Sequence, residues 1–143
     1  MTTTYGAILD QHKVEIPAHL EADAEVPVIT DDQRQGDILI LRIERPGKVD
    51  GLKPVPPEGV AVVRGEAGGN THLLVNTPGA APVMWAARSA TAANPTVGIM
   101  EVSEAAEAGH MLHPEHGAMA AGPGQYEVRR QVEAAEQARL VAD

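Results

Sequence analysis

From residue 36 onward, short apolar runs rich in β-branched residues alternate with segments of turn-forming residues. The runs are DILILRIE (37–44), VAVVRGE (60–66), HLLVN (72–76), PVMWAA (82–87), TVGIMEV (96–102) and PGQYEVRRQVE (123–133). Runs spaced by about 8–12 residues, with Gly, Pro and Asn between them, are typical of all-β proteins. The pattern predicts a mainly β protein, either a single antiparallel β-sandwich or a small barrel, over residues 35–133.

Two details of this β domain follow from the same pattern. The sequence AGGN (67–70) predicts a hairpin, since its glycines and asparagine tolerate positive φ. The Ala-rich segment 82–93 fits either a strand or a helix, and SEAAEAG (103–109) fits a short helical turn capped by Ser103 or a plain loop. Alternation and β-branching predict the core residues Ile38, Ile40, Val60, Val62, Leu74, Ile99 and Val128.

The first 34 residues have a different character from the rest. Their aliphatic residues are interrupted by Pro17 and Pro27, and no helical period runs through them. A segment this apolar is a poor solvated tail, so we expect an extended N-terminal arm (1–34) that packs mainly against another subunit or partner protein. Its predicted partner-binding residues are Ile8, Leu9, Val14, Ile16, Val26, Val28 and Ile29. Residues 134–143 are helix formers and predict a short C-terminal helix.

Composition narrows the possible functions. The chain has no Phe, one Trp and two Tyr, so its core must be built from aliphatic residues, Met and Ala. A net charge of -9 argues against a nucleic-acid partner, because it repels phosphate. Without Cys there are neither disulfides nor thiolate metal sites. No apolar run has the ~20 residues of a membrane span, and MTTTYGAILDQHK lacks the features of a signal peptide, so we expect no membrane association.

The densest cluster of candidate ligands is GHMLHPEHG (109–117), which holds three of the six histidines. Together with the histidine of HLLVN it suggests a site for a divalent transition metal, with ligands His72, His113 and His116 and a fourth from Glu66 or Glu115. The competing interpretation, which we favour, is a loop entering a strand whose imidazoles lie near His72 and hold no tightly bound ion and no cofactor. Pro114 disfavours a continuous helix through the segment.

Motifs of other chemistries are absent from the sequence. There is no G-x-S-x-G, no G-x-x-x-x-G-K-[ST] and no strand-to-helix G-x-G-x-x-G. The pair Asp31-Asp32 fits a solvated turn better than general acid–base catalysis. An enzymatic function is therefore not favoured, and no catalytic residue is predicted.

The segments QGDILILRIE, VAVVRGEAGGNTHLL and HPEHGAMAAGPGQYEVRRQVE resemble a family of small uncharacterised proteins from actinobacteria and their phages. The family pattern has Q-G-D near the start, a G-H-A-H hairpin and a closing H-x-E-H and G-x-Y-x-V-x-R-Q, and the resemblance covers about residues 35–133. It implies a β fold and a pairing of His72 with the His113 segment. Asn70 stands where the family has a histidine. The matching positions are Gln35, Gly36, Asp37, Glu66, Gly69, His72, His113, Glu115, His116, Gly124, Tyr126, Val128, Arg130 and Gln131.

These observations favour a non-enzymatic structural or interaction protein. Its specific form would be a phage virion component, a capsid decoration or minor capsid protein that binds the major capsid protein or other subunits through its arm. One alternative is a metal-binding β-barrel enzyme or sensor that uses the histidines. Another is a small regulatory adaptor. The virion is the expected location, with the cytoplasm as the alternative.

Overall fold

A computed structural model describes residues 3–17, 20–63, 71–91 and 93–130. The predicted hairpin turn, Glu66, Asn70 and the predicted C-terminal helix (134–143) lie outside these ranges. Helix α1 spans Tyr5–Gln11. The strands are β1 (Val28–Ile29), β2 (Gln33–Gln35), β3 (Ile38–Arg42), β4 (Lys53–Pro54), β5 (Val60–Val63), β6 (His72–Asn76), β7 (Met84–Ala87), β8 (Thr96–Val102), β9 (Gly109–His113), β10 (Gly117–Ala121) and β11 (Gly124–Arg130).

The strands form two sheets, which confirms the prediction of a mainly β protein and selects the sandwich over the barrel. One sheet has the order β1-β10-β9-β6-β5 and the other β2-β3-β11-β8-β7-β4. Pairing is antiparallel except between β1 and β10, which run parallel. The ambiguous segment after residue 82 contains strand β7, and a 3-10 turn (Glu104–Ala106) is capped by Ser103, whose Oγ accepts from the Ala106 N–H. Among the described residues no helix is long and apolar enough to cross a membrane.

The core between the sheets is aliphatic, with two of the three aromatic side chains added to it. Tyr126 is fully buried there, and its hydroxyl donates to the Gly122 carbonyl at 2.8 Å. Of the predicted core residues, Ile38, Ile40, Leu74 and Val128 are buried, whereas Val60 and Val62 are partly buried against them.

The prediction for Ile99 is wrong. Alternation along β8 buries Thr96, Gly98, Met100 and Val102, so Ile99 lies on the opposite face and is only partly buried. Side chains along a strand alternate between its two faces. Because both faces of TVGIMEV carry apolar residues, the sequence did not show which face points into the core.

The N-terminal segment packs on its own domain, which corrects the expectation that it mainly contacts a partner. Ile8, Leu9 and Val26 have no exposed surface, and Val14 and Ile16 pack partly buried beside them. They cover the outer face of the five-stranded sheet, against Val75, Ala108, Leu112, Ala118 and Ala120. Of the predicted partner-binding residues, only Val28 and Ile29 are exposed, each at 39%.

Nor is the segment extended throughout. Thr4 caps α1, its Oγ1 accepting from the Ala7 N–H at 3.1 Å, and one turn and a half of helix places Ile8 and Leu9 on the sheet. The chain then folds back, so that the N–H groups of Gly6 and Val26 donate to the carbonyls of Ala22 and Thr3. Seven residues are too few for a helical period to stand out in the sequence.

The stability of the domain should therefore depend on the N-terminal segment. Leu9→Ala removes a fully buried side chain and should lower the free energy of unfolding by ~2–5 kcal/mol, through lost burial and the cavity left behind. Ile29→Ala, at a half-exposed position of the same segment, should cost less than about 1 kcal/mol. Urea unfolding followed by circular dichroism measures both, and equal small losses would contradict this account.

Candidate functional site

Three histidines predicted as metal ligands come together where strands of the two sheets end. His72 begins β6, His113 ends β9 and His116 lies in the turn to β10. The ring centroids of His72 and His113 are 4.4 Å apart, and those of His113 and His116 are 4.6 Å apart. The expected proximity of His113 and His116 to His72 is thus confirmed. The expectation of a loop is wrong, because GHMLH forms β9 and only Pro114, Glu115 and His116 form the turn of a hairpin.

Facing these histidines is the hairpin between β2 and β3, whose turn is Gly36-Asp37. Gln35 and Ile38 are register partners, so only two residues connect the strands. Gly36 has φ 59°, as a type II′ turn requires at its first central position. A Cβ at Gly36 would also lie 2.8 Å from His116 Nε2, so a larger residue would collide with the imidazole. This tight turn brings Gln35 and Asp37 to the histidines.

The hydrogen bonds of His72 fix which of its nitrogens carries a hydrogen. Gln35 Nε2 donates to the Met111 carbonyl at 2.9 Å, which leaves Gln35 Oε1 facing His72 Nδ1 at 3.0 Å. Nδ1 must therefore donate. The other nitrogen, Nε2, lies 2.9 Å from Asp37 Oδ1. In a neutral ring this nitrogen carries a lone pair, so two acceptors would face each other.

The contact between His72 and Asp37 consequently has a place for one shared cation, either a proton or a metal ion. The Asp37 carboxylate is oriented from its other side by Arg130, whose Nε is 3.7 Å from Oδ2. Burial lowers the pKa of His72, while the hydrogen bond and the charge of Asp37 act in the opposite direction. Retention of a cation thus depends on Asp37.

His113 has a different role from His72. Its Nδ1 accepts hydrogen bonds from the backbone N–H groups of Glu115 and His116, at 3.0 and 3.2 Å, and so closes the β9–β10 turn. A neutral ring that accepts at Nδ1 carries its hydrogen at Nε2, and such a nitrogen has no lone pair for a metal. Burial, followed by the neighbouring rings of His72 and His116, lowers the pKa of His113 to about 4. In this geometry His113 is a neutral residue that caps the turn.

The third histidine of the motif, His110, lies on the opposite face of β9. Its register partners are Val75 and Ala120, both in the cluster beneath α1. Burial lowers the pKa of His110 to about 4, with a smaller contribution from His12. The Nε2 atoms of His110 and His12 are buried without a hydrogen-bond partner among the described residues.

Sequence reasoning identified the imidazoles but not their partners. Gln35 and Asp37 were noted only as matches to the Q-G-D motif, and that motif, placed before a strand and far from HPEHG, was the signal that could have found them. Glu115 is exposed. Within the described part of the chain, no three His, Asp or Glu side chains are arranged to hold a metal ion.

The lowered pKa values predict a specific loss of stability in acid. His110 and His113 titrate near 4 in the folded protein and near 6.5 when unfolded, so the unfolded state binds protons first as the pH falls. As far as these two histidines are concerned, the free energy of unfolding therefore has its full value above about pH 6.5 and falls as the pH drops toward 4. We expect the free energy of unfolding to fall by roughly 1–3 kcal/mol between pH 7 and pH 4.5 in urea titrations. His110→Gln should reduce this dependence, and an unchanged slope in that variant would contradict the assignment.

Comparison with known proteins gives a family and no activity. No curated protein and no solved structure matches the chain. Residues 34–131 match a family described as a domain of unknown function, DUF8820. The matched region begins just before the Gln35-Gly36-Asp37 turn and runs to the end of the last strand, so it contains the whole histidine cluster and leaves α1 outside. The chain belongs to the DUF8820 family.

Proposed function

We propose that the protein is a non-enzymatic interaction protein, and specifically a phage virion component of the capsid decoration or minor capsid type. The observation that carries the proposal is the pair Val28 and Ile29. These two large aliphatic side chains are exposed at consecutive positions of β1, the edge strand of the five-stranded sheet. An edge strand presents unpaired backbone groups, and apolar side chains on it favour contact with another chain.

The rest of the N-terminal segment supports this use of β1. Ile8, Leu9 and Val26 anchor the segment on the sheet, and the Gly122 N–H donates to the Ile29 carbonyl at 2.9 Å. The edge is therefore held in place before a partner binds, which lowers the entropy cost of association. The occupant is the major capsid protein or a neighbouring shell subunit. A net charge of -9 suits the outer side of a shell, away from packaged DNA.

Recruitment of the protein to the capsid shell tests this proposal. The double variant Val28→Lys/Ile29→Lys should abolish cosedimentation with particles of the shell-forming protein encoded near this gene, because two ammonium groups replace the apolar contact. The matched control Ser89→Lys/Ala90→Lys adds the same charge at two exposed positions after β7 and should cosediment like the unchanged protein. Gradient sedimentation of untagged protein measures this.

Two outcomes would overturn the virion proposal. One is a gene neighbourhood without a shell-forming protein. The other is a Val28→Lys/Ile29→Lys variant that still cosediments. The alternative is a regulatory adaptor, located in the cytoplasm, that uses the same edge strand to bind a different partner. It would be favoured if the protein bound a purified cellular protein and only the Val28→Lys/Ile29→Lys variant lost that binding.

A second candidate is a metal-binding enzyme or sensor, favoured by the contact of His72 Nε2 with Asp37 Oδ1. Two neighbouring ligands of an octahedral ion with bonds of ~2.1 Å lie ~3 Å apart, close to the 2.9 Å separation here, which is equally the length of a hydrogen bond. Gln35 supports His72 through its other nitrogen, as the outer partners of metal-bound histidines do. His116 lies nearby, with its Nε2 2.8 Å from the position of a Cβ on Gly36, but among the described residues it is not arranged with His72 and Asp37 around one ion.

Elemental analysis of untagged protein separates this candidate from a shared proton. If a metal is bound, it should be stoichiometric and should be lost in His72→Gln and Asp37→Asn, because these remove the two facing donors. His113→Gln should retain it, since His113 Nδ1 is occupied by the turn, and His110→Gln on the other face serves as the control. Protein free of divalent transition metals after growth with Zn, Mn, Fe and Ni would exclude the candidate.

A further inference from the structure

A pocket of about 490 Å³ opens where the edges of the two sheets meet, on the side of β4, β5 and β7. Its walls are formed by the edge strands and by Val55 and Pro56 after β4; Val55 is buried, and Val60 at the start of β5 is partly buried. Pro54 and Pro56 restrict the backbone of this wall, which favours a preformed pocket. Its volume is within the ~300–1,000 Å³ range of small-molecule sites.

Trp85, the single tryptophan of the chain, is one of the residues that line the pocket. Trp85 is 6% exposed and packs in the core between the sheets. Its ring crosses over Gly98 of the neighbouring strand, where a Cβ would overlap the six-membered ring. The absence of a side chain at Gly98 therefore makes room for the indole, whose small exposed part lines the pocket.

Two cations stand at the mouth of this apolar pocket. Lys53 is the register partner of Trp85, and Arg88 follows β7 directly. Both are exposed. The Arg88 guanidinium donates to the backbone carbonyls of Ala87 and Asp50, at 3.1 and 2.8 Å, which fixes its direction without neutralising it. Among the described residues, the ion pairs involve other cations.

The charge of the whole chain makes this pairing of cations distinctive. The sequence has 20 acidic and 11 basic residues. Two basic side chains that form no ion pair among the described residues, placed at one pocket, give a local positive field in an otherwise acidic protein. A guanidinium and an ammonium together bind a carboxylate through charge-assisted hydrogen bonds.

We propose that this pocket binds a small organic carboxylate with an apolar body, such as a medium-chain fatty acid. The carboxylate lies between Lys53 and Arg88, and the hydrocarbon lies on Trp85 against Val55 and Val60. A cationic ligand is repelled at the mouth, and a neutral one of the same length lacks the ionic contact. The site is separate from β1 and from the histidine cluster, so it does not rest on the proposed function.

Because Trp85 is the only tryptophan, its fluorescence reports directly on the pocket. Titration of the full chain with decanoate, kept below its micellar concentration, should change the emission saturably. Decanol should bind at least tenfold more weakly, and decyltrimethylammonium should not bind. The variant Lys53→Gln/Arg88→Gln should raise the Kd for decanoate at least tenfold. The control Arg45→Gln removes an exposed cation that does not line the pocket and should leave the Kd within twofold.

A second variant tests the pocket itself with both cations kept. Ala61→Phe places a ring in the space that the hydrocarbon would occupy and should abolish the saturable change. Thermal unfolding checks that each variant is folded. The proposal is overturned by the absence of a saturable change in the unmodified protein, by equal affinities for decanoate and decanol, or by a Lys53→Gln/Arg88→Gln variant that binds like the unchanged chain.

Discussion

All five residues of strand β9 are buried, so both faces of the five-stranded sheet must be covered where it passes. On the inner face Met111 packs in the core between the sheets. On the outer face Leu112 packs with Ile8, Leu9 and Val26 of the N-terminal segment. A single sandwich core would leave that outer face in water, and the exposure of Leu112, Val75 and Ala120 would cost free energy in proportion to their apolar area. The N-terminal segment is therefore a third layer of the fold.

This third layer also explains how a chain with few aromatic residues buries enough surface. Large rings are replaced by many aliphatic side chains distributed over two clusters, one on each side of the five-stranded sheet. Covering both faces of β9 also buries its two polar residues, His110 and His113. His110 is enclosed beneath α1, where its Nε2 has no hydrogen-bond partner among the described residues. His113 is enclosed at the strand end, where the turn beyond it supplies two N–H donors. Both must remain neutral to stay buried.

The two ends of the molecule handle polar groups in opposite ways. At the histidine cluster, Gln35 joins the sheets by donating to Met111 of one strand and accepting from His72 of the next. The contact between His72 Nε2 and Asp37 Oδ1 has a place there for one shared cation. At the Trp85 pocket, the cations Lys53 and Arg88 face solvent beside apolar walls. The first arrangement fastens the sandwich, and the second leaves an apolar surface open.

Sequence alone determined the elements whose pattern is local. The apolar, β-branched runs identified HLLVN and TVGIMEV as strands with the bounds that the structure has. After Ser103 the sequence left a capped helical turn and a plain loop open, and the structure has the turn. The histidines of HPEHG were recognisable as a cluster because they are neighbours in the chain. Their proximity to His72 followed from the resemblance to a motif pattern.

Tertiary structure decided whatever depended on which surface a residue met. The aliphatic residues of segment 1–34 favour burial, which the sequence shows. That they are buried against their own domain follows from the outer face of β9 and β10, which they cover. Ile99 and Met100 are both apolar, and only the position of the second sheet determined that Met100 points inward. The role of each histidine likewise came from its neighbours: Gln35 and Asp37, 37 and 35 residues away, for His72, and two backbone N–H groups for His113. Hydrogen-bond partners at such separations leave no periodic trace in a sequence, because pairing between strands is set by the packing of the whole sandwich.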